Sequence, residues 1–137
     1  MDDVAGDLIG SLRNIALKPI KAEEKLSQYL CQNVKYLREN MGITILLFSE
    51  AAHLGDKELK YKLNQILTEQ KQLIIKIVKE GIAEGVWEKS IIAEDVAVIY
   101  MGIPITFNIE YVLNNYSLNL DNFCKRMYTL ILRSLKK

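Results

Sequence analysis

From Asp56 to Glu84 the sequence permits one long helix and little else. Leu59, Leu63, Ile66, Leu67, Leu73, Ile74, Ile77 and Val78 recur at three- and four-residue spacing, the period that lines one face of an α-helix. Gly81 is the one glycine in the stretch and no proline enters it. Asp56 is placed to cap the start and Gly85 to end the helix.

Five further helices follow the same rule. The first runs from about Asp3 to Lys18 on Val4, Leu8, Leu12 and Ile15, flanked by Ala5, Ile9 and Ala16. Pro19 disfavours helical geometry at Lys18 and sets a boundary there. The second starts near Lys21, with Glu23 and Glu24 at the positive end of its dipole. Its stripe is Leu26, Leu30, Val34 and Leu37, widened by Tyr29 and Tyr36. After Asn40 and Gly42 comes Ile43 to Leu54, apolar nearly all round, which predicts a short central helix surrounded by others. The fifth helix begins near Ala93 with Glu94 and Asp95 in its first turn and reaches about Tyr116. A kink is expected where Pro104 meets the carbonyl of Tyr100. Trp87, in the connection before it, is expected to plug a gap between helices. The sixth spans about Leu120 to Leu135 through Phe123, Cys124, Met127 and Ile131. No segment alternates with period two, so the fold class is all-α, one domain over residues 1–137.

Charge narrows the function. Eighteen basic residues are interspersed with seventeen acidic ones, so no basic stripe is available to neutralise nucleic-acid phosphates. The chain by itself is a poor DNA binder. Met1-Asp2-Asp3 lacks the basic start of a secretory signal, and the uncharged run Val96 to Ile109 is short of the roughly 20 residues a membrane helix needs. Cys31 and Cys124, far apart in apolar helical patterns, read as two buried thiols in a reducing cytoplasm.

Two clusters carry candidate chemistry. Glu50 and His53 form a Glu-x-x-His pair on one helix face, half of a di-iron carboxylate site in a helical bundle. His53 is the single histidine, so a second pair could come only from another subunit. Glu50 and His53 bonding each other or capping their helix is the favoured reading, and no metal or other cofactor is expected. Tyr100, Pro104, Phe107 and Tyr111 make a stripe at helical spacing beside the expected kink, with Asn108 adjacent. With Tyr36, Phe48 and His53 they are the candidate lining of a small-molecule pocket, an apolar cavity with a few orienting polar groups. Ordinary core packing explains any one of them equally well. Gly81 and Gly85, flanked by lysines and glutamates, terminate a helix rather than mark a membrane contact. No nucleophile elbow or phosphate loop occurs, so no enzyme activity is expected.

The stretch Ile77-Val78-Lys79-Glu80-Gly81-Ile82-Ala83-Glu84-Gly85-Val86-Trp87 resembles the end of the long seventh helix of TetR-family regulators. Ala93-Glu94-Asp95-Val96-Ala97, continuing to Gly102, is similar to the start of that family's eighth helix. Met41 to Leu54, with Ser49-Glu50-Ala51-Ala52, resembles its short buried sixth helix. The order of helix lengths also fits, so the resemblance covers nearly the whole chain through patterns of size and polarity. The family's N-terminal helix-turn-helix head has no counterpart, and residues 1–19 correspond to the linker helix that leads from it.

The resemblance implies a six-helix effector-binding and dimerisation domain of a cytoplasmic transcriptional regulator, expected to be a repressor. The last two helices would pair with their copies in a homodimeric four-helix bundle, with Met101, Ile105, Val112, Met127, Ile131 and Leu135 as interface candidates. A small, partly apolar effector would bind between helices two to five and shift the linker helix. Paired DNA heads, carried by a domain outside these residues, must match half-sites roughly 34–36 Å apart, so a small shift releases DNA. A headless dimerisation partner and a metal-binding bundle are the alternatives.

Overall fold

The computed structural model describes residues 2–39, 57–114 and 122–136, with the side chains of residues 2–7, 37, 59 and 112 outside that description. Five helices occupy these residues: α1 (Asp2–Leu17), α2 (Ala22–Glu39), α3 (Lys57–Ala83), α4 (Ala93–Leu113) and α5 (Phe123–Leu135). The expected helix from Ile43 to Leu54 lies outside the described residues, as do Asp56 and Leu120 at the expected helix starts.

Among the described helices α2 is the hub, packing on all four others, while α3 packs along both α1 and α4. Leu8, Leu12, Ile15 and Ala16 of α1 close on Leu26 and Leu30 of α2 and on Ile74, Ile77 and Val78 of α3. These are the stripes that the 3.6-residue period selects.

The α3 terminus shows why the glycines stand where they do. Val86 N donates to Gly81 O at 3.2 Å and Gly85 N to Ile82 O at 3.0 Å, with Gly85 at φ 81°. This is the six-to-one and five-to-two pairing of a Schellman motif, which needs a left-handed residue at the position of Gly85. Gly81 has a different reason. A Cβ built there would lie 2.0 Å from Cε3 of Trp87, so the bare backbone is the floor on which the indole rests. Trp87 is fully buried. Its neighbour Glu88 N donates to Leu135 O at 3.0 Å, tying the loop to the end of α5.

Pro104 lies inside α4, which runs through it from Ala93 to Leu113. The two cysteines overturn one expectation. Cys31 of α2 and Cys124 of α5 are not separate thiols but are joined as a disulfide, with their Cα atoms 5.4 Å apart. Both sit on helix faces turned toward each other, a juxtaposition across 93 residues that sequence spacing could not reveal.

Candidate functional site

Helix α4 organises the site because it is apolar on every side. Ala93, Val96, Ala97, Tyr100, Pro104, Phe107 and Asn108 turn inward and are buried. The opposite side carries Val98, Ile99, Ile105, Ile109 and Leu113, all exposed, with Val98 at 64% and Leu113 at 75%. An apolar row of this length facing water is uncommon on a monomeric protein.

On the inward side the aromatic residues divide into two groups. Tyr100 donates its hydroxyl to Leu26 O and tilts against Tyr29 with ring centroids 6.2 Å apart. Tyr29 in turn donates to Gln70 O at 3.2 Å. Burial pushes both phenols well above their ordinary value, Tyr29 with a further contribution from the Glu69 charge. Both hydroxyls are therefore taken by backbone carbonyls, and the pair acts as a strut joining α4, α2 and α3.

One turn beyond the proline, Phe107 stacks on Tyr111 at 5.6 Å and meets Phe123 of α5 at 5.1 Å. Next to Phe107 in the helix, Asn108 is 1% exposed and its Oδ1 has no hydrogen-bond partner among the described residues. A buried amide oxygen without a donor costs about 1–3 kcal/mol, a penalty that a ligand bearing a hydroxyl or N–H would relieve. Phe107 also lines a shallow groove of 350 Å³ between α4 and α5 with Ile103, Thr106, Glu110, Phe123 and Met127.

The remaining candidates are distributed as follows. Tyr36 is half-buried against the core. Phe48, Glu50 and His53 lie outside the described residues. Among the interface candidates, Ile105 is exposed, Met101, Met127 and Ile131 are half-buried against the core, and the side chain of Val112 is not described. Leu135, at 4% exposure, is buried in the core. Val98, Ile99, Ile109, Leu113 and Leu130 are exposed apolar residues that the interface candidates do not include. For the four on α4, the absence of a polar face leaves the outward side unmarked in the sequence. Among the described residues no three His, Cys, Asp or Glu side chains converge on a metal position. No described helix is long and apolar enough to cross a membrane.

A second feature controls the corner where α1 meets the body. Lys25, 6% exposed, donates to Ala16 O at 2.8 Å, on the last turn of α1, and to Glu80 of α3 at 2.7 Å. Glu80 also pairs with Lys76. The carboxylate of Glu84, in the turn that follows α3, accepts from Ala22 N at 3.1 Å and caps α2. Partial burial works to raise the Glu80 pKa, but the hydrogen bonds and charges of Lys25 and Lys76 outweigh it and hold the carboxyl below its ordinary value. A depressed carboxyl pKa stabilises the fold above the unfolded-state value, and this contribution is lost as pH falls through the folded value. Glu80→Gln is expected to cost about 1–3 kcal/mol at neutral pH by leaving a buried ammonium short of its partner. Urea titrations should show the gap between wild type and variant closing as pH drops below the ordinary carboxylate value near 4.5. A gap that persists in acid would mean the pair contributes nothing electrostatic.

Residues 2–134 match the family described as YsiA-like protein, C-terminal region. No curated protein and no solved structure matches the chain.

Proposed function

The chain belongs to the YsiA-like C-terminal regions of TetR-family regulators, and from that premise we propose that it senses a small, partly apolar effector and holds two subunits together. The observation that carries this reading is the two-sided character of α4. Its inner side presents an orphaned Asn108 oxygen beside Phe107 and Tyr111, and its outer side presents an unpartnered apolar row. Effector contact on one side and subunit contact on the other would place both events on a single element.

In this reading the effector sits against Phe107, Asn108 and Tyr111 and draws further contacts from Phe48 and His53. A second copy covers Ile105, Ile109 and Leu113, together with Leu130 of α5. The output is α1, the helix leading from the DNA-binding head. Leu12 and Ala16 have no exposure and Lys25 holds the last turn of α1, so α1 moves as a lever pivoting on the Lys25–Glu80 corner rather than by sliding. The effector drives that motion only to the extent that it binds one arrangement more tightly. Control of a repressor by effector-triggered release of DNA is the most direct use of such a lever.

Native mass spectrometry of the purified chain tests both halves together. The expected species is a dimer carrying a retained mass of a few hundred daltons. Ile109→Asp, which sets a carboxylate on the apolar row of each copy, should weaken the dimer about 100-fold or more, since unpaired like charges in an interface cost several kcal/mol. A monomeric wild type would remove the proposal.

A further inference from the structure

The Cys31–Cys124 link lies at the one place where a covalent bond would most affect α5. Among the described helices α5 packs chiefly on α2, and the bond joins these two. Both cysteines are half-buried, but their neighbours differ. Cys31 lines an open groove on the α1–α2 surface with Ser11, Lys18, Gln28 and Lys35, and no acidic residue is among its lining. Cys124 is half-buried against the core. The thiol that borders the groove is the one a small oxidant reaches from solvent. A thiol packed behind it is placed to resolve the product.

The compartment sharpens the point. A regulator that controls DNA binding works where the DNA is, and thiols there are kept reduced. A disulfide found in that setting is generally transient, catalytic or sensing. Resting on the regulator reading above, we propose that Cys31 and Cys124 form a reversible redox pair that fixes or frees α5, giving the domain a second input alongside its effector.

The oxidant is a hydroperoxide. Cys31 thiolate attacks the peroxide oxygen, takes up one hydroxyl as sulfenic acid, and the alkoxide or hydroxide leaves with a proton as alcohol or water. The Cys124 thiolate then displaces hydroxide from the sulfenic sulfur, and water leaves with the proton released by that thiol. Two thiols and one hydroperoxide thus give one disulfide, one water and one alcohol or second water. Thiol–disulfide exchange with a reduced dithiol returns both thiols and leaves that dithiol oxidised. With the bond closed, α5 is pinned to α2, the helix whose neighbour α1 is the output lever. With the bond open, α5 is held by non-covalent packing, Phe123, Met127, Ile131 and Leu135 among the described residues that meet the core.

The test uses the intact chain in both states. Stoichiometric hydrogen peroxide should reduce the alkylatable thiols from two to none within one polypeptide, without a covalent dimer, and millimolar dithiothreitol should restore both. Amide hydrogen exchange across Phe123–Leu135 should be slower by about tenfold or more in the oxidised chain. In Cys124→Ser, which removes the resolving thiol, peroxide should leave that exchange unchanged. A bond that resists dithiothreitol in the folded chain, oxidation that cross-links two chains, or equal exchange in both states would each overturn the proposal. None of these readouts depends on a dimer or an effector, so failure of the sensor reading and failure of the redox pair are separable.

Discussion

Trp87→Ala will lower the free energy of unfolding by about 3–5 kcal/mol, the usual cost of emptying a large aromatic site in a packed core. The indole is fully buried and occupies the space that Gly81 leaves open, so its removal strips contact from α3 and from the loop that meets Leu135. Trp87→Phe should cost less than half as much. It keeps most of the apolar volume, and it deletes an indole Nε1 that has no hydrogen-bond partner among the described residues and therefore already carries a desolvation penalty. A double-mutant cycle with Gly81→Ala makes the test sharper. In the wild-type background the added methyl would overlap the ring, with three indole carbons within 2.6 Å, and overpacking of this kind costs about 1–3 kcal/mol. In the Trp87→Ala background the obstruction is gone. Alanine should then stabilise the helix by up to about 1 kcal/mol over glycine. The sign of the Gly81→Ala effect must therefore reverse between the two backgrounds, as measured by urea unfolding. The same sign in both would mean that the glycine is needed for something other than the ring.

That cycle also shows what the sequence could and could not display. The helical period around Leu63, Ile74 and Ile77 identified α3 to within a residue or two of Lys57–Ala83, because one buried face on a long uninterrupted segment leaves few alternatives. Gly85 was legible as a terminator because a left-handed cap favours glycine. Gly81 was not legible as a floor for Trp87, since that role depends on a chain reversal six residues long. On α4 the inward residues Tyr100, Phe107 and Asn108 were picked out by their spacing, yet spacing does not separate a strut from a pocket wall. The hydroxyl of Tyr100 reaches Leu26 O, 74 residues away, a contact that no local spacing can show. The exposed row of Val98, Ile109 and Leu113 was hidden for the opposite reason. A helix apolar all round gives no moment, so its sequence cannot say which side a partner subunit would cover. The Cys31–Cys124 link and the Lys25–Glu80 corner belong to the same class, being products of which faces α2 turns toward α5 and α3.

Reduction of the Cys31–Cys124 bond will cost about 4–5 kcal/mol of stability if chain entropy is the main effect, because the link spans 93 residues and long loops lose the most freedom when closed in the unfolded state. Where the native contacts of Phe123, Met127 and Ile131 with the core are the same with the bond open, the stabilisation resides in the denatured ensemble. For a chain of 137 residues the melting midpoint should fall by about 10–20 °C. The same free energy must appear a second time. Folding stabilises the closed bond by as much as the bond stabilises the fold, so the equilibrium for oxidising the pair should favour the disulfide about a thousandfold more in the folded chain than in urea. Thiol titration in defined thiol–disulfide buffers, with and without denaturant, gives that ratio independently of any unfolding curve. If both legs of the cycle agree near 4–5 kcal/mol, loop closure accounts for the bond. If the two legs agree near zero, the denatured chain already holds α2 and α5 together, and the link acts on the motion of α5 alone. Legs that agree well away from both values would mean that reduction rearranges the native packing around Cys124, whereas legs that disagree would mean that unfolding of one form is not a two-state equilibrium.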